Sequence, residues 1–285
     1  MKKLSMTLLL LVSLCGTVTA QESFWHVPVP DDEQHKPIET PFTLTDYHIH
    51  IRGGMTTRRA IERQKMTGIL SGVIENSGRE WPLYNDVTLQ EFIFHQRQIM
   101  DQEGVWIPVG MQVNDRDWYK YFSPETLEML DYVISDTMVM NDETGTPIRL
   151  WETSKYVITD EEAWMERYFQ HTMQVLDEPI TILANPTYLP EPLASRYDHF
   201  WTEERMKAVI NRAVKNGVAL EIQAKSAFPS EKFIRLAKEA GAKFSVGTNN
   251  FGQEPFSLDR WFKTIEKFGL EESDFIVIRG RKTPK

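Results

Sequence analysis

The sequence predicts a single-domain α/β fold, a distorted (β/α) barrel of seven or eight parallel strands. Three observations predict it. In the C-terminal third, a helical pattern, a glycine and a short apolar strand follow one another three times: 206–214, Gly217 and 218–222; 233–240, Gly241 and 244–246; 258–268, Gly269 and 275–278. Alternation of this kind builds parallel βαβ units. Further apolar runs at 44–51, 70–75, 105–113, 131–135 and 180–184 bring the strand count to seven or eight. Finally, a polar or ionisable residue follows nearly every strand, the place where barrels build their sites. A doubly wound open sheet is the alternative topology.

Taken in order, the chain opens Met1-Lys2-Lys3, continues with an apolar run from Leu8 to Leu14 and reaches Val18-Thr19-Ala20. A positive start, a short apolar stretch and small residues at the end read as a secretory signal peptide over residues 1–20. Leu14 before Cys15 is a poor fit to a lipid-anchoring site, so no stable membrane anchor is expected and the protein is read as exported, to the periplasm or beyond. Residues 21–41 carry Pro28, Pro30, Pro37 and Pro41 among charges and no period, and read as an arm. Residues 42–285 are the barrel. Its first strand ends at Arg52-Gly53-Gly54, and a helix spans 56–66 before Gly68. The strand 70–75 ends at the turn Asn76-Ser77-Gly78, and a helix over 89–102 stops near Gly104. After the strand 105–113 comes a polar-aromatic loop, 114–119. The strand 131–135 leads into an irregular stretch to Thr159, then a helix over 159–176 and the strand 180–184. The loop 187–201 has a length often found in binding loops or lids. Met206, Val209, Ile210, Ala213 and Val214 then share one helical face.

Cys15 is the sole cysteine, so the barrel holds no disulfide. The formal charge is −9 at pH 7, and loss of Lys2 and Lys3 with the leader takes it to −11. An acidic chain without a basic patch excludes nucleic acid as an expected partner. A small molecule or oligosaccharide is expected instead.

The stretch Asp46-Tyr47-His48-Ile49-His50 organises the candidate site. Strict alternation in a strand puts Asp46, His48 and His50 on one face and Tyr47, Ile49 and Ile51 on the other. Two imidazoles at that spacing can converge on one ion or one substrate. The other strand ends contribute Glu75 with Asn76, Gln112, Ser135 with Thr137, Asn185, Glu221 with Lys225, and Asn249 with Asn250. Buried charge among them is costly unless paired or bound to something.

The order of these segments resembles the polymerase and histidinol phosphatase (PHP) family, distorted (β/α) barrels of metal-dependent phosphoesterases. Residues 46–50 match its opening Asp-x-His-x-His motif. Gly72–Asn76, Pro108–Val113, Val133–Thr137, Leu183–Pro186 and Gly247–Phe251 fall where its later motifs fall. Where the family has His, Glu, His, His, Asp and His, this chain has Asn76, Gln112, Thr137, Asn185, Asn249 and Phe251. Neutral amides are weak ligands for divalent ions, so the family's full cluster is not expected. His48, His50 and Glu75 could still hold one Zn²⁺ or Mn²⁺ with an open position.

The resemblance makes a metal-dependent hydrolase the leading expectation. Its water would be activated by that single ion, and Arg52, or Arg58 and Arg59, would clamp an anionic group. The alternative is a lyase or dehydratase that eliminates water from an acidic saccharide. There a histidine or Lys225 is the base. Asn76, Gln112, Asn185 and Asn249 would bond hydroxyls, and Trp118, Tyr119, Tyr188 or Trp201 would stack on the ring. Lys225 could instead simply pair with Glu221, and His199 could reach in from its loop. A non-catalytic binding barrel is the third expectation.

Overall fold

The computed structural model describes residues 39–250 and 257–282, all within the unit Lys36–Lys285. The leader, most of the arm, Cys15 and Phe251 lie outside the described residues. The elements run β1 (Thr45–His50), α1 (Thr57–Thr67), β2 (Leu70–Ser77), α2 (Asp86–Glu103), β3 (Val109–Val113), α3 (Pro124–Leu127), β4 (Tyr132–Ser135), β5 (Val139–Asn141), β6 (Pro147–Arg149) and α4 (Glu161–Leu176). They continue with β7 (Ile182–Leu183), α5 (Glu191–Ala194), α6 (Tyr197–Phe200), α7 (Glu203–Asn216), β8 (Ala219–Gln223), α8 (Glu231–Glu239), β9 (Phe244–Gly247) and α9 (Asp259–Phe268).

Seven strands close in the order β1-β2-β3-β4-β7-β8-β9, every neighbour pair parallel. Pairing of Asp46 with Val246 seals β1 to β9 and rules out the open sheet. The helices start and stop where local chemistry asks. Thr202 accepts the Arg205 N–H to cap α7, and Gly217 ends it at φ 68°, a left-handed turn that a side chain resists. Met206, Val209, Ile210 and Ala213 bury as their spacing predicts, each large side chain stabilising by about 1.5–3 kcal/mol. Val214 is the exception, 41 % exposed at the edge of that face.

Two layers of core result. One lies between strands and helices and includes Ile49, Val73, Met111 and Val133. The other fills the barrel itself with Tyr47, Ile74, Tyr132, Ile134, Ile182, Ala184 and Ala219. The segment expected as an eighth strand, 275–278, does not join the barrel ladder. It bridges Phe244 at Phe275 and packs Ile276 and Ile278 against the inner core. There the Tyr47 hydroxyl accepts from the Ile278 N–H at 2.7 Å, and Tyr132 donates to the Tyr47 carbonyl at 2.9 Å. The segment plugs the bottom of the barrel, because a closed seven-strand ring leaves no edge for another strand.

Two further stretches are more ordered than their sequence suggests. The irregular stretch after β4 contains an antiparallel ribbon, β5 with β6, and the loop 187–201 folds into α5 and α6. Among the described residues, no helix is long and apolar enough to cross a membrane.

Candidate functional site

Strict alternation fails in β1, and the failure builds the site. Between Asp46 and Ile49 the register against β2 slips by one residue, since Asp46 pairs with Ser71 but Ile49 with Val73. This bulge sends Tyr47 into the inner core and still leaves His48 facing the interior. Asp46 is turned the other way. Its carboxylate takes Arg63 of α1 at 2.6 Å, the Thr248 hydroxyl at 2.6 Å and the His48 N–H at 3.0 Å. Asp46 therefore clamps β1 to α1 and to the end of β9 and does not share the histidines' face.

Inside, His48 is held at both ring nitrogens. Nδ1 meets Glu221 Oε1 at 2.6 Å and Nε2 meets Gln112 Oε1 at 2.9 Å. Gln112 Nε2 then donates to Asp136 Oδ2 at 3.0 Å, while Asp136 Oδ1 takes the Met138 N–H at 3.0 Å. At the other end Glu221 Oε2 takes the Asn185 N–H at 2.8 Å. All of these side chains are buried. With the amide oriented this way, both ring nitrogens face acceptor oxygens, the Glu221 carboxylate on one side and the Gln112 amide on the other, an arrangement that favours the protonated ring. Burial opposes that charge, but the Glu221 carboxylate and its hydrogen bond, with Asp136 and Asp46 further off, outweigh it and raise the His48 pKa. Burial raises the Asp136 pKa, against the Met138 N–H, His48 and Arg116. A Cβ at Gly247 would lie 1.7 Å from Glu221 Oε1 and 2.8 Å from the His48 Cβ. Glycine there makes room for the pair.

His50 is pushed the opposite way. Its ring centroid is 5.1 Å from that of His48. Burial, then the charges of His48 and Arg52, hold its pKa well below the ordinary value, against hydrogen bonds with the side chains of Asn249 and Asn76. The two neighbouring rings are thus shifted in opposite directions.

Glu75 does not join them. Ile74 belongs to the inner core and Val73 to the outer one, so alternation places Asn76 inside and Glu75 outside. Its Oε1 accepts the Asn76 N–H at 2.7 Å. Burial raises its pKa, while that hydrogen bond and Arg52 lower it. His48, His50 and Glu75 thus form no common cradle, and among the described residues no group of three or more His, Cys, Asp or Glu side chains is placed to hold a metal ion. His48 has no ring nitrogen to offer without giving up Glu221 or Gln112. The donor set does not fit the single Zn²⁺ or Mn²⁺ expected from the sequence.

Arg52 stands half-buried at the rim, and Lys225 is exposed, its Nζ 3.5 Å from the Asn249 carbonyl. The Glu221 oxygens are occupied by His48 and Asn185. Arg58 pairs with Glu103 of α2 at 2.6 Å and Arg59 reaches the Gly54 carbonyl, so the α1 arginines brace the fold. His199 pairs with Glu162 of α4. Trp118 and Trp201 are core residues, 1 % exposed each, not a stacking platform. Their size favours burial over display.

Asp136 escaped sequence reasoning, which weighed Ser135 and Thr137. Those two are structural, bonding the Val113 carbonyl and the Tyr168 hydroxyl. The available signal was parity, since Asp136 shares the inward face of Ile134.

No known family's sequence profile matches the chain, and no curated protein matches it. Among solved structures, it is similar to a chain of an archaeal ribonuclease P with mature tRNA: 11 % identity, 79 % of this chain and 89 % of that one, TM-score 0.38. It is also similar to the Bacillus subtilis YkuI protein, which has an EAL domain and was solved with its substrate c-di-GMP and calcium. There the identity is 10 %, over 75 % of this chain and 49 % of that one, with TM-score 0.29, so the chain spans about half of YkuI. Both likenesses are too distant to carry a function. What fold and site define is a closed, seven-stranded parallel α/β barrel with a buried acid–base chain at its C-terminal mouth.

Proposed function

We propose that this barrel is a metal-independent lyase that eliminates water or a linked oxygen from an acidic saccharide. One observation carries the reading: two histidines with ring centroids 5.1 Å apart whose surroundings push their pKa values in opposite directions. Such divergence assigns an acid and a base. In this reading Arg52 receives the sugar carboxylate, which acidifies the neighbouring C–H. Neutral His50 takes that proton, and the electron pair forms the C=C bond as the C–O bond breaks. His48 gives its Nε2 proton to the departing oxygen, which takes the place of Gln112, while Glu221 holds Nδ1. Transfer of the proton from His50 back to His48 through water restores the pair. Asn76, Asn185 and Asn249 bond the hydroxyls, with Lys225 adding positive charge at the rim.

The motif order along the strand ends supports a PHP-like ancestry in which ligands have become amides and a protonated histidine stands where an ion would. The leader-like residues 1–20 support export, and with it an extracytoplasmic saccharide. Metal-dependent hydrolysis has less support, because His48 is spent on Glu221 and Gln112.

The test is to incubate the protein with oligouronates and follow ultraviolet absorbance of the unsaturated product. Turnover lost in both His48→Asn and His50→Ala is expected. Absence of product from every uronate, or turnover indifferent to both substitutions, overturns the reading, and ligand binding without turnover identifies a binding barrel instead.

A further inference from the structure

A polar cleft lies beside the barrel mouth, where α4 faces the β5–β6 ribbon and the loop after β3. Its volume is about 310 Å³, and Arg116, Asn141, Glu166, Arg167, Gln170 and His171 are among the residues that line it, with the Glu166 carboxylate paired to Arg205 at 3.0 Å. That volume is at the lower end of the range for small-molecule pockets, ~300–1,000 Å³.

Three buried nitrogens from its walls have no partner among the described residues: Arg116 Nε, Arg167 Nε and His171 Nε2. Buried polar atoms in native structures are normally satisfied, and three around one cavity ask for a common explanation. Each guanidinium is anchored elsewhere, Arg116 to Glu178 at 2.9 Å and Arg167 to Glu143 at 2.7 Å. The anchors fix the arginines and leave the Nε–H groups unspent. His171 is 8 % exposed. Burial, then Arg116, lower its pKa to about 3, against a hydrogen bond to the Val139 backbone. It is neutral at physiological pH, and with one nitrogen donating to Val139 its Nε2 is an acceptor.

We propose that this cleft is a second binding site, for a small hydroxycarboxylate, whose carboxylate bridges the two arginines and whose hydroxyl donates to His171 Nε2. Two fixed N–H donors on cations select an anion. A buried acceptor beside them rejects an anion that lacks a hydroxyl, because its own hydrogen bond would go unmade. The site is independent of the reading of the barrel mouth. It is nonetheless adjacent to it, since Arg116 acts electrostatically on Asp136 and lies 3.4 Å from the Ser135 hydroxyl.

Calorimetric titration of the full chain with lactate, glycerate and glucuronate, against propionate as the hydroxyl-free comparison, tests it. The hydroxy acids should bind at least about tenfold tighter than propionate, and Arg167→Gln, at a half-exposed position, should weaken them about tenfold. His171→Phe should erase the difference between lactate and propionate. Binding should persist in His50→Ala, which separates this cleft from the mouth. No saturable binding, binding unmoved by both cleft substitutions, or binding abolished by His50→Ala overturns the assignment.

Discussion

The imidazole of His48 and the carboxylate of Glu221 meet at 2.6 Å inside the barrel, though 173 positions separate them in the chain. Strand β9 runs between their strands, and it passes at Gly247. A side chain there would occupy the carboxylate's position. Gly247→Ala should therefore force the pair apart and cost about 1–3 kcal/mol, as overpacking does. Chemical denaturation measures it, and an unchanged midpoint would show that the pair does not depend on this gap.

Glu221→Gln removes the charge that raises His48. The folded-state pKa of His48 lies above the unfolded value near ~6.5. Its contribution to stability is thus complete below the unfolded value and is lost as pH rises through the folded one. The wild-type stability curve should decline across that interval, and the variant's decline should disappear. Denaturant titrations at several pH values read this directly, with a retained decline as the opposing result.

His171 offers the reverse case. Its folded pKa of about 3 lies below the unfolded value, so the unfolded chain takes the proton first. Stability should fall as the pH drops from about 6.5 toward about 3. His171→Gln should flatten that part of the curve. A slope identical to wild type would mean that the ring is not held neutral.

Asp46 and Arg63 form a buried ion pair at 2.6 Å. Asp46→Ala leaves the guanidinium without its carboxylate and undoes the bonds to Thr248, for a loss of roughly 3–5 kcal/mol. Thermal unfolding should show it as a large drop in Tm. A change under 1 kcal/mol, of the order of an exposed pair, would contradict the clamp.

A chelator should leave saccharide turnover intact, and elemental analysis of the active protein should find no stoichiometric transition metal. Activity lost on chelation and restored by Zn²⁺ or Mn²⁺ would return the reaction to metal-dependent hydrolysis.

Much of the barrel is legible in the sequence because helix periodicity and terminating glycines are local signals. Gly217 and Gly269 end α7 and α9 as read. The pairing of 275–278 is not local. Four apolar residues suit a strand or a plug equally, and closure of the ring decides between them. The site divides along the same line. His48, His50, Gln112, Asn185 and Glu221 stand out at strand ends, whereas the bulge in β1 has no composition of its own and reassigns both Asp46 and Tyr47. Glu75 groups with the histidines in the sequence because its neighbour Ile74 gives no sign there of which core it fills. The register of β2 supplies it. Asp136 is inward by the same rule.

His48 should hold both ring protons at neutral pH while His50, beside it, holds only one. Nitrogen NMR of the protein with isotopically labelled histidine rings measures this most directly, with His48→Asn and His50→Ala assigning the two signals. The expected spectrum shows an imidazolium for His48, persisting above the ordinary histidine range, and a neutral ring for His50. Two neutral rings, or a charge on His50 in place of His48, would contradict the acid–base assignment and the lyase reading with it.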